Sequence, residues 1–247
     1  MIPGIGPSGR ERYGRQILSI GVEGQERLNA AHIVVAGAGG LGSPAAIYLA
    51  AAGIGRLTLI DCDTVERSNL NRQVLHGEAD IGRPKVESGV EALRALNPSI
   101  RVEGVRATIT GENASALVGD ADGIVDAMDN YPARFVLNRV AQERGIPLFH
   151  GAIRGFHGQA TTCVPGRGPC LACLFPNVPP KEGSPVLGAT AGVIGCIQAT
   201  EVVKYVAGEG ELLTGRLLLW DGLAARMDEV AVAPRAGCPA CSERVRR

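Results

Sequence analysis

The segment HIVVAGAGGLGS, residues 32–43, constrains the fold of this chain more than any other. A short β-branched run enters a G-x-G-x-x-G turn, with Gly37, Gly39 and Gly42 in the glycine positions. A helix-forming stretch, SPAAIYLAAAG, follows and is ended by Gly53. Strand, tight turn and helix in that order let the backbone approach a phosphate at the helix N-terminus. Asp61 closes the next apolar run, RLTLID, where a carboxylate can accept hydrogen bonds from ribose hydroxyls. The pattern implies a nucleotide without identifying it. The alternative is a glycine turn that only packs helix on strand.

The alternation continues down the chain. A helix is expected over 84–98, a strand over 100–109, a strand over 121–129, a helix over 133–145 and a strand over 146–153. Successive βα units predict an α/β fold: a doubly wound, mostly parallel Rossmann-like sheet with helices on both faces. After Gly155 the pattern changes. GQATTCV (158–164) and GRLLLWDG (215–222) read as strands with no helix between each and its sequence neighbour, so antiparallel pairing is expected there. A small-residue helix, 191–208, and proline-rich loops lie between them. A soft boundary falls near residue 155.

Charge excludes some partners. Lys plus Arg and Asp plus Glu number 25 each, so no basic excess calls for nucleic acid or an anionic membrane. The first residues, MIPGIGPSGRERYGRQ, lack the apolar core of a signal peptide. The uncharged stretch 28–55 is broken by glycines and Pro44, which argues against a membrane span. These features predict a cytoplasmic protein whose seven cysteines stay reduced.

Three groups of residues carry chemistry. DTVERSNLNRQ (63–73) and GRPKV (82–86) place Arg72 and Lys85, with Asn69 and Gln73 as neutral donors, soon after the ribose acid. A nicotinamide pocket has no need of such cations; a triphosphate does, and so does pyrophosphate as it departs. The competing reading is a solvated loop with surface ion pairs. Asp129 ends the expected GIVDAMD strand, at the carboxyl end that faces the ligand crevice, where a carboxylate can hold Mg²⁺ bridging phosphate oxygens; its plainer role would be to cap the next helix. Asp126, earlier in the strand, is expected to serve the fold. The pairs Cys170/Cys173 and Cys238/Cys241 are each C-x-x-C and together complete a tetrahedral, closed, structural zinc site. A redox dithiol is the alternative. Cys62, Cys163 and Cys196 are expected as small buried core residues.

RYGRQ (12–16), the 37–73 segment with its D-x-D-x-V-x-x-S-N-L-x-R-Q run, GRPKVE (82–87) with DAMDN (126–130), and the two cysteine pairs occur in an order that resembles the MoeB/ThiF/HesA family, bacterial relatives of ubiquitin-activating enzymes. The resemblance spans about residues 10–241. It implies ATP-dependent adenylation of the C-terminal glycine of a small ubiquitin-like sulfur carrier protein ending in Gly-Gly. It further implies that Gly37, Gly39, Gly40 and Gly42 lie against the phosphates, Asp61 and Asp63 near the ribose, Ser68, Asn69, Arg72, Gln73 and Lys85 around the phosphates, and Asp129 on Mg²⁺. Arg15 would act in trans in a homodimer. Residues 1–155 would then form the ATP-binding part with the arginine segment, and 156–247 the carrier-binding and zinc-binding part of the same unit.

Two departures matter. Some relatives carry a cysteine in the crossover loop, for a thioester or persulfide link; here PNVPPKEGSPVLGAT (176–190) has none, and Lys181 stands near that place. The chemistry is therefore expected to stop at the adenylate. Met128 occupies a position where a small polar residue is commoner. An NAD(P)-dependent oxidoreductase, an inactive scaffold, and activation of a short peptide or a tRNA base are the competing functions.

Overall fold

The structure, a computed structural model, describes residues 7–177 and 185–242. Its elements in chain order are α1 (Pro7–Ala30), β1 (His32–Ala36), α2 (Gly42–Ala52), β2 (Arg56–Ile60), α3 (Lys85–Leu96), β3 (Arg101–Val105), α4 (Ala114–Val118), β4 (Gly123–Asp126), α5 (Tyr131–Arg144), β5 (Leu148–Arg154), β6 (His157–Cys163), α6 (Leu171–Leu174), α7 (Gly188–Ala207), β7 (Arg216–Asp221) and β8 (Arg226–Ala231). The eight strands form one sheet in the order β3-β2-β1-β4-β5-β6-β7-β8. The pairs from β3 to β5 are parallel. Those from β5 to β8 are antiparallel.

The period-2 pattern of the central strands divides the core. Ile33 and Val35 of β1, with Leu57 and Leu59 of β2, face α1, α2, α3 and α7. Val34 and Ala36, with Ile60 and Ile124, face α4, α5 and α6. Both faces are therefore covered, as parallel strands require. Small residues allow close helix packing: a Cβ on Gly195 of α7 would lie 2.6 Å from the Leu41 carbonyl oxygen, where α2 begins.

The strand order reverses between β1 and β4. In such sheets the crevice outside the carboxyl ends at that switch point is where ligands bind. The antiparallel change after Gly155 occurs as expected, but the sheet runs through it unbroken.

Some expectations needed correction. The strand expected over 100–109 ends at Val105, and residues 107–111 instead form a wall of the crevice. β4 ends at Asp126, so Asp129 stands in the loop beyond the strand. Cys62 is exposed in the loop after β2, whereas Cys163 is buried as expected and Cys196 is partly so. The N-terminal helical segment α1 went unread because it is polar and glycine-interrupted; Gly21, at φ 70°, joins two helical stretches there. No helix among the described residues is long and apolar enough to cross a membrane. None of the seven cysteines is in a disulfide. Lys181 lies outside the described residues.

Candidate active site

The glycine loop divides its labour. Gly37 has φ 100°, and a Cβ there would sit 2.7 Å from the Ala127 carbonyl oxygen. A Cβ on Gly42 would fall 1.8 Å from the Gly37 carbonyl oxygen. These two glycines are required by close backbone packing. Gly39 and Gly40 meet nothing closer than 3.4 Å and border an open cavity instead. The Ala38 peptide is held at both ends. Its N–H donates to Asp61 Oδ2 at 2.8 Å, and its carbonyl accepts from buried His76 Nε2 at 3.0 Å. The loop is thus preorganised at the start of α2, whose first N–H groups lack helical partners.

The cavity measures about 750 Å³, the size of a site that takes a nucleotide or drug-sized ligand. Gly37, Gly39, Gly40, Asp61, Asp63, Arg72, Gln73, Lys85 and Asp129 all border it. Lys85 opens α3, and a bridge between Thr64 and Pro84 brings it beside the loop after β2. Its side chain is 7% exposed, and the ammonium donates to Asp63 Oδ2 at 2.9 Å. That hydrogen bond holds the Asp63 carboxyl below the usual carboxylate range. Arg72 Nη1 donates to the Ser68 carbonyl (2.8 Å) and to Asn71 Oδ1 (3.0 Å), with no carboxylate partner among the described residues. Lys85 is thus a buried cation in an ion pair with the exposed Asp63, and Arg72 is half-buried. Gln73 is buried with its Oε1 unpartnered at the cavity wall.

Asp61 keeps capacity for a ligand. Its oxygens accept from the Ala38 and Asp63 N–H groups, and each retains a second lone pair. Asn130, not Asp129, caps α5, its side chain accepting from the Ala133 N–H at 3.0 Å. Asp129 therefore remains exposed, touched by Asn130 Nδ2 at 3.2 Å. Asp126 serves the fold, as expected: it is fully buried and paired with His150 Nδ1 at 2.7 Å. Burial lowers the His150 pKa, partly offset by Asp126.

Four expected residues do not border the cavity: Gly42, which packs against the Gly37 carbonyl, and three polar residues. Asn69 Oδ1 accepts from the Glu66 N–H and closes the short 3₁₀ turn Arg67–Asn69. Ser68 Oγ donates to Glu66 on the exposed side. Arg15 is exposed on α1, whose Tyr13 packs at the opposite end of the sheet, against Gly53 and Asn97. Within one chain Arg15 does not border the site.

One residue escaped the reading from sequence. Arg134, one turn into α5, is 5% exposed and borders this cavity together with a second of about 680 Å³. The spacing of Arg134 from Asn130, one turn on a helix just past Asp129, was the available signal.

The four cysteines converge and are all buried. Sγ separations of 3.9, 3.7 and 3.5 Å are too long for a disulfide, whose S–S bond is about 2.05 Å. They match the edge of a tetrahedron with Zn–S about 2.3 Å, which is about 3.8 Å. The Arg235 N–H points at Cys173 Sγ at 3.4 Å, as suits a thiolate ligand. The donor set fits zinc.

The ThiF family profile matches residues 13–240. A SAMP-activating enzyme E1 from Haloferax volcanii is 48% identical over 241 residues, covering 94% of this chain and 89% of the relative. A sulfur carrier protein adenylyltransferase from Thermus thermophilus is 43% identical, covering 94% and 91%. An adenylyltransferase and sulfurtransferase MOCS3 from Arabidopsis thaliana is 44% identical over 97% of this chain, which spans only 54% of that relative. Among solved structures, Escherichia coli MccB with ATP superposes with TM-score 0.85 at 23% identity, over 93% of this chain and 74% of MccB. That likeness concerns the fold.

Proposed function

The chain belongs to the ThiF family, and we propose that it adenylates the C-terminal glycine carboxylate of a small ubiquitin-like sulfur carrier. The observation that carries this reading is the convergence of Arg72, Lys85 and Asp129 on the glycine loop in one cavity. The names of the Haloferax volcanii and Thermus thermophilus relatives point to the same chemistry. A carrier carboxylate oxygen attacks the α-phosphorus of ATP. The bond from that phosphorus to the α–β bridging oxygen breaks, and its electron pair leaves with pyrophosphate. The carboxylate is already ionised, so no general base is needed. The protein's task is to align two anions and neutralise the leaving group.

The residues divide that task. Asp61 and Asp63 accept from the ribose hydroxyls. The N–H groups of Gly39 to Gly42, with Arg72, Gln73 and Lys85, hold the phosphates. When triphosphate enters, Lys85 turns part of its donor capacity from Asp63 to phosphate. Asp129 would hold Mg²⁺, which would supply positive charge against the phosphates. Ser68 and Asn69 act indirectly, by shaping the turn that presents Arg72. Arg15 reaches the nucleotide of a second copy in a homodimer. The four-cysteine site takes Zn²⁺ and ties the C-terminal segment to α6 and its N-cap Cys170, a structural role. Lacking a crossover-loop cysteine, the chain ends its chemistry at the adenylate and leaves sulfur delivery to another protein, in the cytoplasm. Residues 1–155 supply the nucleotide site and 156–247 the carrier and zinc sites. No nucleic acid or membrane takes part.

The test is carrier-dependent exchange of pyrophosphate into ATP. Exchange that needs Mg²⁺, ATP and a carrier ending in Gly-Gly supports the reading. Its absence with every such carrier, alongside NADH binding, would favour an oxidoreductase.

A further inference from the structure

Arg134 raises a question that the nucleotide site leaves open. Arginine is almost never fully buried unless its charge is paired. Yet this side chain is 5% exposed, and no carboxylate pairs with it among the described residues. Its Nε and Nη2 both donate to the Met128 carbonyl, at 3.1 and 2.5 Å. Its guanidinium carbon lies 5.5 Å from the centre of the Tyr131 ring. Asp126, the buried acid two residues before Met128, is committed: Oδ1 accepts from the Met128 N–H and Oδ2 pairs with His150. The Nη1 edge has no donor contact among the described residues.

The position of this cation is informative. Arg134 and Asp129 both border the nucleotide cavity and the second cavity, which opens toward β6, β7 and β8. Asp129 is the Mg²⁺ candidate on the phosphate side. Arg134 is a positive charge, shielded from water, at the same junction. Its field reaches His150, where it adds to burial in keeping the imidazole neutral. A desolvated guanidinium without a counter-ion binds carboxylates strongly, and its fork matches their geometry.

We propose that Arg134 is a catalytic residue that receives the terminal carboxylate of the incoming carrier and holds it at the α-phosphorus. The inference rests on the adenylation reading above. The missing counter-ion of Arg134 is then the substrate itself. Nε and Nη2 stay on Met128 and fix the guanidinium plane, while Nη1 donates to one carboxylate oxygen. The other oxygen attacks phosphorus. The bond to the bridging oxygen breaks, its electrons leave with pyrophosphate, and no proton moves. Arg134 lowers the repulsion between carboxylate and triphosphate, which otherwise opposes their approach.

The test uses the full-length protein and the sulfur carrier of the Thermus thermophilus relative, in two forms: the natural Gly-Gly carboxylate and the same protein ending in a carboxamide. Wild type is expected to bind the carboxylate form at least tenfold more tightly in the presence of a non-hydrolysable ATP analogue. R134M is expected to bind the two forms within about twofold of each other. Its kcat for carrier-dependent exchange should fall about 100-fold or more, with the KM for ATP within about threefold of wild type. R134K keeps the charge without the fork; it should retain part of the preference and recover part of kcat. It carries the test should R134M fail to fold. The proposal is overturned if wild type shows no preference for carboxylate. It is also overturned if either variant keeps the full preference, or if the KM for ATP rises as much as that for carrier, the mark of a loop-holding role alone. Absence of exchange in wild type with any carrier would overturn the adenylation reading, and this one with it. Exchange with an undiminished carboxylate preference in the variants would overturn this one only.

Discussion

The nucleotide crevice and the four-cysteine cluster are both built from polar side chains gathered by loops, yet they are opposites in design. The cysteines face one another, are all buried, and leave no position open for a further ligand. The crevice groups face an empty volume of about 750 Å³ and satisfy one another only in part: Lys85 on Asp63, Arg72 on a carbonyl and an amide, Gln73 Oε1 on nothing. A closed donor set serves the fold, because its interactions are complete once a metal is bound. An open set whose partners are weak or missing is prepared for a ligand that completes it.

Substitutions should separate the two regions. The largest effect is expected at Arg72 and Lys85. Ala at either is predicted to lower pyrophosphate exchange about 10³-fold or more while metal content and melting temperature stay near wild type, checked by exchange kinetics and metal analysis. An equal loss of metal would erase the contrast. Next comes Arg15. Arg15→Ala and Arg72→Ala homodimers should each be inactive, but an equal mixture should regain about one quarter of wild-type activity per site. Half the dimers are then mixed, and each has one intact site. No recovery after subunit exchange would remove the trans role.

The cysteine cluster should behave in reverse. Cys173→Ser, or a strong chelator, is predicted to lower the melting temperature by about 10 °C or more, whereas ATP affinity per folded molecule changes less than about threefold. Loss of ATP binding in step with metal would merge the two regions. The smallest effect concerns protons. Burial lowers the pKa of His32, His76 and His150 below the ordinary 6.5. The unfolded chain takes up these protons near 6.5 and the folded chain resists them. Their contribution to stability is therefore complete above 6.5 and is lost as pH falls below it toward the folded values. Denaturant unfolding across that range should show the decline, and H150Q should make it shallower. A flat profile would contradict the buried neutral imidazoles.

Much of this was readable beforehand, for physical reasons. β1, the glycine turn and α2 declare themselves because buried strands are continuous apolar runs and the turn needs residues without Cβ at Gly37 and Gly42. The cysteine cluster declares itself because a tight C-x-x-C turn is the local half of a tetrahedron. What stayed hidden depends on long-range packing. Nothing local marks 106–111 as loop rather than strand; its alternation is that of a cavity wall. The polar sequence of α1 conceals a helix whose buried anchors, such as Leu28, are few. Asn69 and Asn130 were legible as polar residues, but whether a side chain meets ligand or its own turn depends on backbone geometry. Arg134 was overlooked because an arginine in a helix reads as surface until burial is known.

The central claim is that the open crevice joins ATP to a protein carboxylate. Intact mass measurement of a Gly-Gly carrier incubated with this protein and ATP–Mg²⁺ tests it most directly. The expected result is a carrier heavier by one AMP, formed with the carboxylate form, absent with the carboxamide form and absent with Arg72→Ala. A carrier of unchanged mass under conditions where ATP is bound would contradict it.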